Sequence, residues 1–385
     1  MALLIPTAFV GCLAMGIINL AMLFIVKERF HAGPQAVGVF TALSSVAYFL
    51  GCIVLKRFSD RIGPRAAMSI MTLGTAGLFS LFIVVPSMAL AFGVYFLYGL
   101  LTALFWPPMM TWLSAGLEGQ ALSKATNTFS LSWSSGGAIA PYVAGILCEL
   151  GLDIPIYVGI AIFAVAGMVM AASGRLVPSP AKAGAGGAEA ADPETRCTTQ
   201  DADHSTPLRF PAWIGAFMIY AVLAVFSNIF PLFAKDELAL SESRIGLLLL
   251  VRASFAAVGF WALGRFGFWH FRKRYIALGV FLLLLLDLAF VFVHAPAGFA
   301  VGLAALGLVQ ALCYNSSIFY GASGAVDRAR RMTTHEALLT AGQILGSIGG
   351  GMAYQAYSWR TVFIFLAVLV AGGLAAQLIL LGRKA

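Results

Sequence analysis

Lys56-Arg57-Phe58-Ser59-Asp60-Arg61-Ile62-Gly63-Pro64-Arg65 sets four bases and one acid between two apolar runs, at about 35–55 and 66–86. Each run has roughly the twenty residues that carry a helix across a ~30 Å hydrocarbon core. In lipid every backbone N–H and C=O must be satisfied within its own segment, so such runs are helices. The basic stretch is then a loop between two membrane spans.

The same alternation continues in both directions. Spans are expected at about 3–26, 35–55, 66–86, 88–112, 125–148 and 155–174, then at 211–233, 245–264, 275–293, 297–320, 333–354 and 360–381. The fold class that follows is all-α, twelve transmembrane helices as two six-helix bundles, residues 1–174 and 211–385. Residues 175–210 between them lack an apolar period and are Gly-, Ala- and Thr-rich with scattered acids, which reads as a cytoplasmic linker. The first run has neither a basic n-region nor a small-residue cleavage site, so it is expected as a span and not a removable signal.

Composition agrees. Of 385 residues, 61% are hydrophobic and 10% charged, and the mean hydropathy is +0.92, far from soluble-domain usage. The net charge of +8 is spread over short inter-span clusters rather than one arm or face, which argues for topology signals and against nucleic-acid binding. Lys and Arg favour the cytoplasmic side. An N-terminus inside puts Lys56, Arg57, Arg61, Arg65, Arg265, Arg272, Lys273, Arg274, Arg328, Arg330 and Arg331 in inner loops, leaving only Lys27, Arg29, Lys235, Arg244 and Arg360 outside. Both termini are therefore expected in the cytoplasm, and the chain in a cell inner membrane. The five cysteines and five histidines show no metal-ligand or disulfide spacing, so no metal is expected. No phosphate-binding Gly-x-x-x-x-Gly-Lys-Ser/Thr loop or Ser/His/Asp set occurs, so neither a cofactor nor an enzyme activity is expected.

The halves repeat each other, a mark of transporters. The loop from Lys56 aligns with Gly264-Arg265-Phe266-Gly267-Phe268-Trp269-His270-Phe271-Arg272-Lys273. At nearly the same offset, Gly136, Ala140, Ala144 and Gly145 align with Gly342, Gly346, Gly350 and Gly351. Asp60, Arg61, Gly63 and Arg65, in the loop after the second span, match the signature Gly-x-x-x-Asp-Arg-x-Gly-Arg-Lys/Arg of the major facilitator superfamily, which the chain resembles over its whole length. Lys56 stands at the leading Gly of that signature and Pro64 at a common Arg.

The resemblance implies that Asp60, Arg61, Gly63 and Arg65 form a latch stabilising the outward-open state, with Asp60 near the N-terminal end of the eleventh helix, where the helix dipole favours an anion. Gly136-x-x-x-Ala140-Pro141-x-x-Ala144-Gly145 resembles a weakened antiporter motif of the family; ordinary close packing of small residues, with Pro141 bending the helix, is the other reading. The resemblance also implies a cavity lined by the first, fourth, seventh and tenth helices, and so points to Asn19, Tyr98, Thr102, Trp106, Tyr220, Asn228, Gln310, Tyr314 and Asn315. Pro107-Pro108 and Pro231 are expected to break or kink their spans.

Ionisable groups at membrane depth need a partner, a wet cavity or a function. Arg252 and Asp287 fall at similar depth on consecutive spans; either they form an ion pair, or Arg252 faces the cavity and binds an anionic group. His335 and Glu336 open the eleventh span. Either Glu336 and His335 beside it couple proton movement to transport, or Glu336 caps its helix.

The expected function is a secondary active transporter of a small organic compound working by alternating access, proton-coupled, with export favoured. The alternatives are a symporter or uniporter for a small organic anion and a transporter-like receptor that moves nothing. The expected partners are the small molecule, protons and the lipid bilayer, with the chain a monomer.

Overall fold

The computed structural model describes residues 3–115, 119–175, 206–323 and 328–382. The first half comprises α1 (Leu4–Glu28), α2 (Pro34–Val54), a short α3 (Lys56–Ile62), α4 (Pro64–Val84), α5 (Met88–Thr102), α6 (Trp106–Ser114), α7 (Gly119–Leu150) and α8 (Ile154–Ala172). The second comprises α9 (Arg209–Asn228), α10 (Phe230–Asp236), α11 (Glu242–Arg265), α12 (Lys273–Phe290), α13 (Pro296–Ala322), α14 (Arg328–Ala356) and α15 (Trp359–Gly382). Most of the proposed linker, residues 176–205, lies outside the described residues.

Nine spans among the described residues are long and apolar enough to cross a membrane, counting α5 with α6 and α9 with α10 as one each. The helices α7, α12 and α14 bring each half to six, packed against α1, α13 and α9 respectively. Two expected breaks occur at prolines. Pro107 and Pro108 occupy the first turn of α6, and Pro231 that of α10, where a missing backbone N–H costs nothing. Pro141 is carried inside α7 without ending it.

One element differs between the repeats. Residues 56–62 form a helix turned by Gly63 at φ +83°, whereas of the aligned residues 264–270 only Gly264 and Arg265 are helical, as the end of α11, and Phe271, aligned with Gly63, has φ +53°. The helices α7 and α14 also run beyond their expected starts, since polar turns extend a helix that the apolar count clips.

The halves meet along two seams built on glycine. In one, α2 lies on α14: a Cβ on Gly38 would overlap the Ser347 carbonyl, and one on Gly351 the Pro34 carbonyl. In the other, α7 lies on α11: a Cβ on Gly145 would strike the Glu242 carbonyl, and one on Gly246 the Pro141 carbonyl. Within the halves, Gly136 abuts Phe9 of α1, while Gly342, Gly346 and Gly350 abut Phe217, Ala221 and Val225 of α9. Without hydrophobic drive between helices in lipid, backbone approach of this kind supplies the packing contacts.

Candidate functional site

Both seams carry close cross-half contacts at the end of the bundle opposite the chain termini, the distal end. There Lys27 pairs with Asp236, and Lys235 pairs with both Glu28 and Glu242. The backbone N–H of Gln35 donates to Gln355 Oε1 at 2.9 Å, and that of Ser243 to Glu149 Oε1 at 3.1 Å. Hydrogen bonds from the Ser243 and Ser241 side chains and the Ser243 backbone hold the Glu149 carboxyl below its ordinary value. Every one of these contacts except Lys235–Glu242 joins the halves. In the sequence Lys27 and Lys235 read only as outer-loop charges; an acid next to each base, Glu28 and Asp236, is the available signal.

Deeper in, five of the expected site residues gather in the second half. Tyr220 of α9 stacks on Tyr314 of α13 at 6.1 Å and 28°, and Phe260 of α11 meets Tyr314 edge-on at 5.6 Å. Arg252 Nη1 donates to Gln310 Oε1 at 2.6 Å. Tyr220 is within electrostatic reach of both Arg252 and Glu336. The carboxylate of Glu336, an exposed residue of α14, also acts electrostatically on Tyr314 and, across the seam, on Tyr48 and Cys52 of α2. Tyr48 and Cys52 were missed in the sequence, because apolar periodicity does not say which face of α2 meets α14.

Several readings are corrected. Arg252 and Asp287 do not pair: α11 packs on α7 and α13, while α12 packs on α13, α15 and α9, so consecutive helices are not neighbours here. Asp287 is fully buried and both its oxygens lack a partner. Glu336 is not an N-terminal cap, since α14 begins at Arg328, two turns earlier. His335, 1% exposed, turns into the second half, where its Nδ1 shares a 2.7 Å hydrogen bond with Ser317 Oγ and its ring meets Tyr314 at 5.2 Å. Adjacent helical residues point ~100° apart, which separates it from the Glu336 face. Tyr98 is a core residue at 4% exposure, packed on Phe79 and Tyr95.

The remaining expected residues stand apart from that cluster. Asn19 is exposed on α1 and accepts from the Tyr95 hydroxyl at 3.0 Å. Thr102 bonds back to the Tyr98 carbonyl at 2.8 Å. Trp106 packs edge-on against Phe105, Phe129 and Trp133. Asn228 donates to Ser347 Oγ at 2.8 Å, and Asn315 is half-buried on α13. Asp60 accepts from Lys56 at 2.8 Å within its own short helix, Arg61 is exposed, and Arg65 lies over the Trp112 ring at 5.2 Å. Among the described residues no three His, Cys, Asp or Glu side chains gather as a metal site.

Two six-helix halves meeting on α2/α14 and α7/α11 are matched by one family model, the Major Facilitator Superfamily, over residues 4–327 and again over 212–385. The chain belongs to the Major Facilitator Superfamily. As a member it is a multi-pass membrane transporter and not an enzyme. A search of curated proteins finds no match.

Solved structures share the fold at low identity. A bacterial homolog to the human lysosomal transporter Spinster, inward-facing and occupied, superposes with TM-score 0.75 at 12% identity, over 97% of this chain and 96% of that one. A POT family transporter in complex with 5-aminolevulinic acid gives 0.76 at 12%, over 98% and 95%. The nucleoside transporter NupG gives 0.72 at 16%, over the whole of both chains. At such identities the likeness is one of fold.

Proposed function

We propose that this superfamily member is a secondary active transporter of a small organic compound, working by alternating access and coupled to protons through Glu336. The observation that carries the proposal is the position of Glu336 on the seam between halves. It is within electrostatic reach of Tyr48 and Cys52 of the first half and of Tyr220 and Tyr314 of the second. A carboxylate there changes surroundings whenever the halves rock, so binding a proton and moving the halves are linked.

The distal contacts support a state closed at that end. With the cytoplasmic bias of the basic loops, the distal end is the outside and the conformation is inward-facing, in an inner membrane with both termini cytoplasmic. The Lys56–Asp60 pair fits this assignment: a latch that holds the opposite, outward-open state is disengaged, its acid bound by its own helix. Export is the favoured direction, on the Gly136–Gly145 pattern that brings Pro141 and Gly145 onto α11.

Purified protein in liposomes with an internal pH dye tests the coupling. Glu336→Gln is expected to abolish pH-gradient-driven flux while leaving substrate exchange across equal pH intact. Driven flux at the wild-type rate in the variant would remove Glu336 from the mechanism.

A further inference from the structure

Arg252 lies near the middle of α11, where an unpaired charge costs at least ~2.5–3.5 kcal/mol on insertion scales. Its hydrogen bond is to neutral Gln310, its Nε is buried without a partner, and no carboxylate among the described residues lies within ion-pair range of it. A half-buried guanidinium at membrane depth, held only by a neutral amide, still needs a counter-ion. Gln310 engages one donor and fixes the plane of the fork, leaving other N–H groups for a bidentate anion.

The surroundings narrow the chemistry further. Tyr220, within electrostatic reach of the guanidinium, is half of the Tyr220–Tyr314 stack, which Phe260 braces edge-on. A flat ring extending from a bound anion would meet aromatic faces. Arg252 carries one positive charge, which a single negative charge neutralises, whereas a dianion would leave an excess charge at membrane depth.

We infer that the substrate is a monoanionic aryl carboxylate, its carboxylate paired with Arg252 and its ring on the Tyr220–Tyr314 wall. The inference deepens the transporter reading and rests on it, and binding tests it first, separately from flux.

The probe is 2-naphthoate, titrated by calorimetry onto the full chain in detergent, with 2-naphthamide and cyclohexanecarboxylate as controls lacking the charge and the aromatic ring. Naphthoate is expected to bind at least tenfold more tightly than either control. Arg252→Gln is expected to weaken it by tenfold or more, with Arg252→Lys intermediate and Tyr220→Leu weakening naphthoate more than cyclohexanecarboxylate. Equal binding of naphthoate and naphthamide, no naphthoate binding, or naphthoate binding unchanged in Arg252→Gln would each overturn the inference. The wild-type comparison decides the matter even if Arg252→Gln does not fold. Proton-coupled flux of a neutral or cationic compound that is indifferent to Arg252 would sink the inference and leave the transporter reading standing. Arg252-dependent naphthoate binding without coupled flux would do the reverse.

Discussion

Two charged residues on consecutive helices behave differently because of what surrounds them. Arg252 has a bond to Gln310 and an aromatic neighbour, whereas Asp287 is sealed between helices with both oxygens unpartnered. An unmatched buried polar group costs roughly 1–3 kcal/mol, so Asp287→Leu is expected to stabilise the protein by an amount in that range in a denaturant titration. A loss of about 3–5 kcal/mol would instead mean that a partnered charge had been broken. The sequence showed that both residues were anomalous for a membrane span, and it placed Glu336 among the few interior acids. It did not show which anomalies touch, since contact depends on helix neighbours. His335 and Glu336 are adjacent in sequence, yet His335 bonds a hydroxyl in the core while Glu336 is exposed and within electrostatic reach of Tyr48 across the seam.

Helices are joined by two kinds of glycine contact, and these should fail differently. Gly346 presses on Ala221 inside the second half, while Gly246 presses on Pro141 across the halves. Gly346→Val overpacks a contact inside one folded unit and is expected to cost about 1–3 kcal/mol of stability. Gly246→Val is expected to leave each half folded but to open the distal seam, raising the maleimide labelling rate of a cysteine placed at Ser243 severalfold. Equal loss of stability in both variants, with no change in labelling, would refute the distinction. At this scale the spans were legible because apolar runs and prolines are local signals; α6 and α10 begin with the prolines that announce them. The pairing of spans was not. The α2/α14 and α7/α11 seams join residues from opposite halves, and the small-residue pattern at 136–145 does not reveal whether it faces α1 or α11. In fact it does both, Gly136 toward α1 and Gly145 toward α11.

The whole molecule is two six-helix halves with charges at one rim. Lys235 joins Glu28 of the first half to Glu242 of the second, beside the Lys27–Asp236 pair. Partly exposed pairs contribute roughly 0–1 kcal/mol each and are screened by salt, so the rim biases the closed state instead of locking it. Lys235→Gln is expected to shift the population toward distal opening by a few-fold at low salt, with the difference from wild type shrinking at high salt. A shift that persisted undiminished in high salt would assign the effect to packing. The doubled fold was readable from the repeat of the 56–65 loop and the 136–145 pattern, since both lie at nearly one offset. The state of closure was not, because it depends on which end of the seams is in contact.

The most direct test of alternating access is a pair of spin-label distances across the halves, one at the distal end and one at the end bearing the termini, measured on the same protein in nanodiscs. The wild type is expected to show a short distal and a long terminal distance, and Gly246→Val a shift of both in opposite senses. Distances that change together, or a distal distance that is already long in the wild type, would contradict it.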